Sequence, residues 1–253
     1  MKNSNWNRQE LILAFNLYCK ITFSKINANY QPVKDLAEII GRSSNALAMK
    51  LANFARLDPA LRNRNIKGMS HGGHGEELIW KEFNSDWDNL AFESESILAK
   101  YTGVNVEDLE HIRIDDLPKE GRERDAIVKI RVNQSFFRRI VLVSYNGRCC
   151  ITGISNPGLL IASHIKPWAI DTLNRVNPSN GLCLNALHDR AFDQGLLTIT
   201  PDYKILLSEV LLSECKNSDE YFRPYANKSI ILPTRFFPNK DFLQYHYETC
   251  FIK

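Results

Sequence analysis

The residues best suited to catalysis lie between positions 148 and 197, where two histidines flank an asparagine. His164 follows an apolar run at 159–162, Asn180 follows a polar loop, and His188 follows a second apolar run at 181–184. Neutral imidazole has a pKa near neutrality, so it can take a proton from a water molecule that attacks a phosphodiester. A divalent cation can carry the charge on the phosphate oxygens. These residue types therefore suit metal-assisted hydrolysis of a phosphate ester.

The elements that must position these residues are a strand, a loop, a second strand and a short helix at 187–193 that stops at Gly195. We expect His164, at the end of the first strand, to be the general base. We expect His188, at the helix start, to face back toward that strand and bind the metal. The side-chain amide of Asn180 can bond backbone on both sides of the loop and hold the strands in register.

Nearby polar residues complete the predicted site. Ser163 and Asp193 are further candidate metal ligands, and Asp189 or Asp193 could instead orient His188 or its helix. Lys166 could touch a phosphate. The motifs are CITG at 150–153, HIKPW at 164–168, NPSNGL at 177–182, LHD at 187–189 and FDQG at 192–195.

Together these motifs resemble those of the His-Asn-His (HNH) endonucleases, whose active site is a ββα-metal unit, over residues 121–200. The resemblance is greatest to the branch found in bacterial restriction-type nucleases. It implies a DNA endonuclease that uses Mg2+ (or Mn2+), leaves a 3′-hydroxyl and a 5′-phosphate, and restricts foreign or modified double-stranded DNA. A palindromic target would require a homodimer with two-fold symmetry.

One departure from the family concerns Ser163, because many members carry Asp, His or another metal ligand just before the base. The hydroxyl or a water could replace that carboxylate, another acid such as Asp171 or Asp193 could supply it, or the site could be impaired. The last option defines the alternative function, a catalytically impaired DNA-binding regulator. A weaker third reading makes the metal a structural zinc.

The N-terminal part predicts a helix-turn-helix-like unit. Pro32 begins one helix, Gly41 ends it, and Ser43 or Ser44 caps the next helix, which runs to about residue 55. Its core would consist of Leu36, Ala37, Ile40, Leu47, Leu51 and Phe54. Its predicted DNA-binding residues are Arg42, Ser44, Asn45 and Lys50. On the helical stretch before the first strand, the predicted DNA-binding residues are Arg124, Lys129, Arg131 and Arg138. Residues 62–75 predict a basic, glycine-rich loop.

Charge divides the chain into three parts, although the formal net charge is only +3. Residues 34–67 hold seven Lys or Arg against three acids and residues 118–150 eight against three, whereas residues 93–117 hold two against seven. We therefore predict an α+β protein with a helical DNA-binding module at 1–95, an acidic connector at 96–119 and a ββα-metal HNH nuclease domain at 120–253.

Sequence features also bear on the compartment. The sequence lacks both a secretory signal and a run of about 18 apolar residues that would span a membrane. Its six cysteines form no CxxC pair. We therefore expect reduced thiols and a cytoplasmic protein.

Overall fold

A computed structural model describes residues 5–63, 73–113, 118 and 121–253. The chain forms two compact units, Met1–Ile140 and Val141–Lys253. Most of the loop predicted at 62–75 lies outside the described residues, as do parts of the predicted connector. No helix in the described residues is long and apolar enough to cross a membrane.

The regular elements among the described residues of the first unit are helices. Its helices are α1 Arg8–Lys20, α2 Gln31–Ile40, α3 Ser44–Leu57, α4 Pro59–Asn63, α5 His74–Phe83, α6 Trp87–Thr102 and α7 Val106–Leu109, and α8 Arg122–Ser144 crosses into the second unit. Because the division falls inside α8 and α6 passes residue 95, the domain boundaries at 95 and 119 stay a prediction.

Helix ends in this unit follow from local chemistry. Asn7 and Glu10 form a reciprocal capping box at the start of α1. Gly41 ends α2 in the left-handed conformation, with φ of 72°, and the Ser43 hydroxyl accepts a hydrogen bond from the Ala46 amide at 3.2 Å to begin α3. All six residues predicted for the core of α2 and α3 are buried. The two helices therefore meet around a tight turn, packed against the aromatic face of α1.

The second unit is built on two small antiparallel sheets. Its elements after α8 are β1 Leu160–His164, β2 Gly181–Asn185, α9 Ala186–Asp193, β3 Leu197–Ile199, β4 Ile205–Leu207, α10 Glu209–Glu214, α11 Ser218–Tyr221 and α12 Lys240–Tyr245, and a π-helical turn follows at His246–Cys250. Strands β1 and β2 pair with His164 opposite Gly181, and β3 pairs with β4. The predicted order of strand, loop, strand and helix is confirmed, and β3 and β4 form a hairpin after it.

Candidate active site

His164 occupies the last position of β1 and is half-buried. Its Nε2 atom lies 2.8 Å from the backbone carbonyl oxygen of Arg175. A carbonyl oxygen only accepts, so in the neutral ring Nε2–H donates and Nδ1 carries the lone pair. Burial lowers the pKa of His164, and the hydrogen bond to the carbonyl only partly offsets this. The ring is therefore neutral at pH 7 and carries the lone pair that a general base needs.

Asn180 holds the loop between β1 and β2 and is fully buried. Its Oδ1 accepts from the Lys166 amide at 2.8 Å, and its Nδ2 donates to the carbonyls of Lys166 at 3.2 Å and Asn174 at 3.1 Å. Its own carbonyl accepts from the Ile165 amide at 2.9 Å. The side chain thus bonds backbone on both sides of the loop, as its position in the sequence suggested.

Trp168 also links the loop to the predicted base, His164. The Trp168 ring meets the His164 ring edge-on, with 5.5 Å between the centroids. The Arg175 guanidinium carbon lies 5.1 Å from the Trp168 ring centroid, and its Nε donates to the Trp168 carbonyl at 2.8 Å. The sequence motifs gave Arg175 no role, because its contact with Trp168 depends on the loop conformation.

Lys166, the predicted phosphate contact, already has partners. Its Nζ lies 3.0 Å from Asp171 and over the rings of Phe242 and Tyr245, at 5.3 and 4.9 Å from their centroids. Burial alone would raise the pKa of Asp171, but hydrogen bonds from Lys166 and Asn174 lower it overall. Asp171, a candidate replacement ligand, is thus an ionised carboxylate committed to Lys166.

Two carboxylates lie one turn apart on α9, at Asp189 and Asp193. Burial raises the pKa of both, and the charge of Asp189 raises the pKa of Asp193 further, whereas Arg190 opposes the shift at each. Ser163 is buried on β1, and its hydroxyl lacks a partner in good hydrogen-bond geometry. It nevertheless lies close enough to Asp189 to lower the pKa of that carboxyl. The structure thus brings Asp189 to Ser163 and Asp193 to Asp189.

This oxygen-donor set fits a hard divalent cation. Mg2+ keeps several waters and is usually held by one or two carboxylates together with substrate phosphates. Within the described ranges, no group of three or more His, Cys, Asp or Glu side chains is placed to hold a metal. Carboxylate oxygens, which both aspartates supply, are ligands of the class that hard cations prefer.

His188 lies in the interior, with only 2% of its surface exposed. Its backbone amide and its Nδ1 each lie 3.1 Å from Oδ1 of Asn185, and its ring packs on Phe222 and Tyr225 at 5.2 and 5.5 Å. Burial lowers its pKa, and the nearby Tyr221 carbonyl opposes this without reaching hydrogen-bond geometry with Nε2. These contacts tie His188 to the start of α9 through Nδ1 and leave Nε2 without a hydrogen bond among the described residues, so its role as a metal ligand stays a prediction.

Two of the predicted DNA-binding residues in the first unit are held by buried acids. Arg42 is 8% exposed and donates to Glu10 at 2.7 Å, and Glu10 is itself fully buried. Lys50 lies 2.6 Å from buried Glu76. By contrast, Asn45 is exposed and Ser44 is half-buried. The structure therefore uses Arg42 and Lys50 to neutralise internal carboxylates.

The four predicted residues of α8 differ in the same way. Arg124 donates to Glu107 at 2.8 Å, and Lys129 lies 5.7 Å from the centroid of the Phe92 ring. Arg131 and Arg138 are exposed and face a cleft of about 500 Å3 that also contains His111 and Arg113. Of the four predicted residues, Arg131 and Arg138 are therefore the two whose side chains are exposed.

Comparison with protein families finds a match, and it covers the segment that contains β1, β2 and α9. Residues 149–200 match the HNH endonuclease family model, and this range contains β1, the loop, β2 and α9. An HNH domain supports a nuclease-type function, implies DNA binding and generally uses a divalent metal. A comparison of the whole chain with curated proteins finds no match.

Proposed function

We propose that the protein is a metal-dependent endodeoxyribonuclease that hydrolyses phosphodiester bonds of double-stranded DNA. The observation that carries the proposal is the state of His164. A neutral imidazole, held by Arg175 with its lone pair on Nδ1, ends the first strand of a unit that matches the HNH endonucleases.

In the proposed reaction, Nδ1 of His164 takes a proton from a water whose oxygen attacks phosphorus. The bond between phosphorus and O3′ breaks, the leaving O3′ takes a proton from solvent water, and the products are a 3′-hydroxyl and a 5′-phosphate. Asn180 keeps the loop, and with it the Arg175 carbonyl, in the position that orients the base. A bound Mg2+ or Mn2+ would neutralise the charge that develops on the phosphate and leaving oxygens.

We assign the metal to Asp189 and Asp193, with Ser163 beside them. The sequence pointed to His188, Ser163 and Asp193. We place Asp189 in the role of His188 because its carboxyl reaches Ser163, whereas His188 is enclosed by Asn185, Phe222 and Tyr225. Two carboxylates whose pKa values are raised by burial gain from a nearby cation, which would neutralise them.

DNA contacts are proposed for the exposed basic residues of α8, Arg131 and Arg138, and for Ser44 and Asn45 at the start of α3. Arg42 and Lys50 suit this role less because carboxylates already hold them. The finer role, restriction of foreign or modified DNA by a homodimer, rests on the resemblance to restriction-type nucleases.

Nicking of supercoiled plasmid in Mg2+ or Mn2+ tests the proposal. His164→Ala should lower the rate by about 10²- to 10⁴-fold, the usual contribution of a general base, while DNA binding is retained. His74→Ala, which removes an exposed histidine at the start of α5, is the matched control and should cleave normally.

The same assay tests the alternative. Ser163 contributes a hydroxyl where many HNH nucleases have a charged or imidazole ligand, and this favours a DNA-binding regulator with an impaired site. Normal DNA binding by the wild type without cleavage in either metal would support the regulator and refute the nuclease.

A further inference from the structure

We infer that Arg175 is a second catalytic residue of this site, whose guanidinium binds the non-bridging oxygens of the phosphate that is cut. The inference rests on the proposed nuclease function and names a contact that the sequence motifs did not indicate. It is carried by the position of Arg175 in the loop, where one residue serves both the base and, through its side chain, the substrate.

The backbone of Arg175 is fixed beside the base. Its carbonyl accepts from Nε2 of His164 at 2.8 Å, and Asp171 caps the turn that precedes it by accepting from the Asn174 amide at 3.2 Å. The Asn174 carbonyl is in turn held by Asn180 at 3.1 Å. The segment that carries Arg175 is therefore ordered before substrate arrives, which is what electrostatic stabilisation of a transition state requires.

The side chain of Arg175 is held in place by a hydrogen bond, which uses only its Nε donor. Nε donates to the Trp168 carbonyl at 2.8 Å and the guanidinium lies over the Trp168 ring, which also contacts His164. Within residues 121–253 this is its one side-chain hydrogen bond, so the two terminal amino groups remain available as a fork. Such a fork matches two oxygens of a phosphate.

The Trp168 ring contacts both the Arg175 guanidinium and the His164 ring. A general base acts through one water, so the scissile phosphorus must lie just beyond that water from Nδ1 of His164. The other cation of the loop, Lys166, is bound to Asp171 and enclosed by two aromatic rings. In the described part of this unit Arg175 has no carboxylate partner, which makes it the cation suited to the phosphate.

Two substitutions separate charge from loop structure. Arg175→Gln removes the charge, whereas Arg175→Lys keeps it and loses the Nε contact to Trp168. Arg223→Gln, which breaks an exposed ion pair with Asp219 in the same unit, is the control for loss of one positive charge. We expect Arg175→Gln to lower kcat by about 10²-fold, as loss of a transition-state donor does, with Arg175→Lys in between and the control unchanged.

A second readout does not depend on cleavage. Fluorescence anisotropy measures the affinity for a short DNA duplex in EDTA across a salt series. The salt dependence of that affinity counts the phosphate contacts. The slope of log affinity against log salt should fall by about 0.9 in Arg175→Gln and stay at the wild-type value in Arg175→Lys. A purely structural role would leave the slope unchanged in both variants.

The two readouts distinguish the proposals. A wild type that never cleaves, with the slope change present, would refute the nuclease and leave the phosphate contact of Arg175 standing. An active wild type with an unchanged slope in Arg175→Gln would overturn the inference, whether or not cleavage falls, because Arg175 would then act only through the loop.

Discussion

His246 gives a prediction whose size follows from the structure. It lies in the π-helical turn after α12, is 3% exposed, and stacks on Phe192 of α9 with 3.7 Å between ring centroids. Its Nδ1 lies 2.8 Å from the Thr198 hydroxyl. Burial lowers the pKa of His246 from 6.5 to about 4, although the Phe192 carbonyl opposes the change. The folded protein therefore resists protonation of this ring at a pH where the unfolded chain accepts a proton.

The sign and the window follow by linkage. Above pH 6.5 the ring is neutral in both states and contributes no pH dependence. Between pH 6.5 and about 4 the unfolded state binds more protons, so the free energy of unfolding falls as the pH falls. A pKa shift of this size corresponds to about 3 kcal/mol in total, of which about 2 kcal/mol is lost between pH 7 and pH 5.

The assay compares urea unfolding of wild type and His246→Gln at pH steps from 7.5 to 5. Gln cannot titrate but keeps a polar group for Thr198, so carboxylates and other histidines cancel in the difference between the proteins. The variant should be less stable at pH 7, and the gap should shrink by about 2 kcal/mol by pH 5. Parallel stability curves across that range would refute the reasoning, because His246 would then titrate alike in both states.

Two other predictions test the metal site and the N-terminal unit. Asp189→Asn and Asp193→Asn should each raise the Mg2+ concentration for half-maximal cleavage by about 10- to 100-fold, since each removes an oxygen donor. Asp202→Asn, at an exposed residue outside the site, is the control and should leave that concentration unchanged. An equal response in all three variants would reject α9 as the metal-binding helix. Arg42→Ala should cost about 3 kcal/mol in denaturant unfolding because it leaves the buried Glu10 carboxylate without its positively charged partner. A loss under 1 kcal/mol would show that the pair is exposed to water in solution.

Elements with strong local signals could be predicted from the sequence. The order of β1, β2 and α9 follows from two short apolar runs and a helix that stops before Gly195, and the core face of α2 and α3 follows from helical spacing. Asn180 could be given a loop-holding role because a side-chain amide both donates and accepts.

Contacts between distant parts of the chain could not be predicted in this way. Glu10 meets Arg42 and Glu76 meets Lys50 only after helices pack, so basic residues with the spacing of a DNA-reading helix became internal partners. His188 is covered by Phe222 and Tyr225, which lie more than thirty residues further along and carry no signal that they cover it. Arg175 meets His164 through a carbonyl, a group that every residue possesses.

Ser163 stands where many HNH nucleases have a metal ligand, and the structure gives this difference less importance than the sequence alone did. Its importance assumed that the metal depends on the residue before the base, yet the two carboxylates on α9 lie one turn apart and one of them reaches Ser163. Mg2+ needs only one or two carboxylates when phosphate and water complete its shell. In the proposed site the pair on α9 would supply the carboxylates that β1 lacks, and the His164 ring is neutral without a charged neighbour on its own strand. The proposed nuclease function rests on this arrangement, with carboxylates on α9 and a neutral His164 at the end of β1.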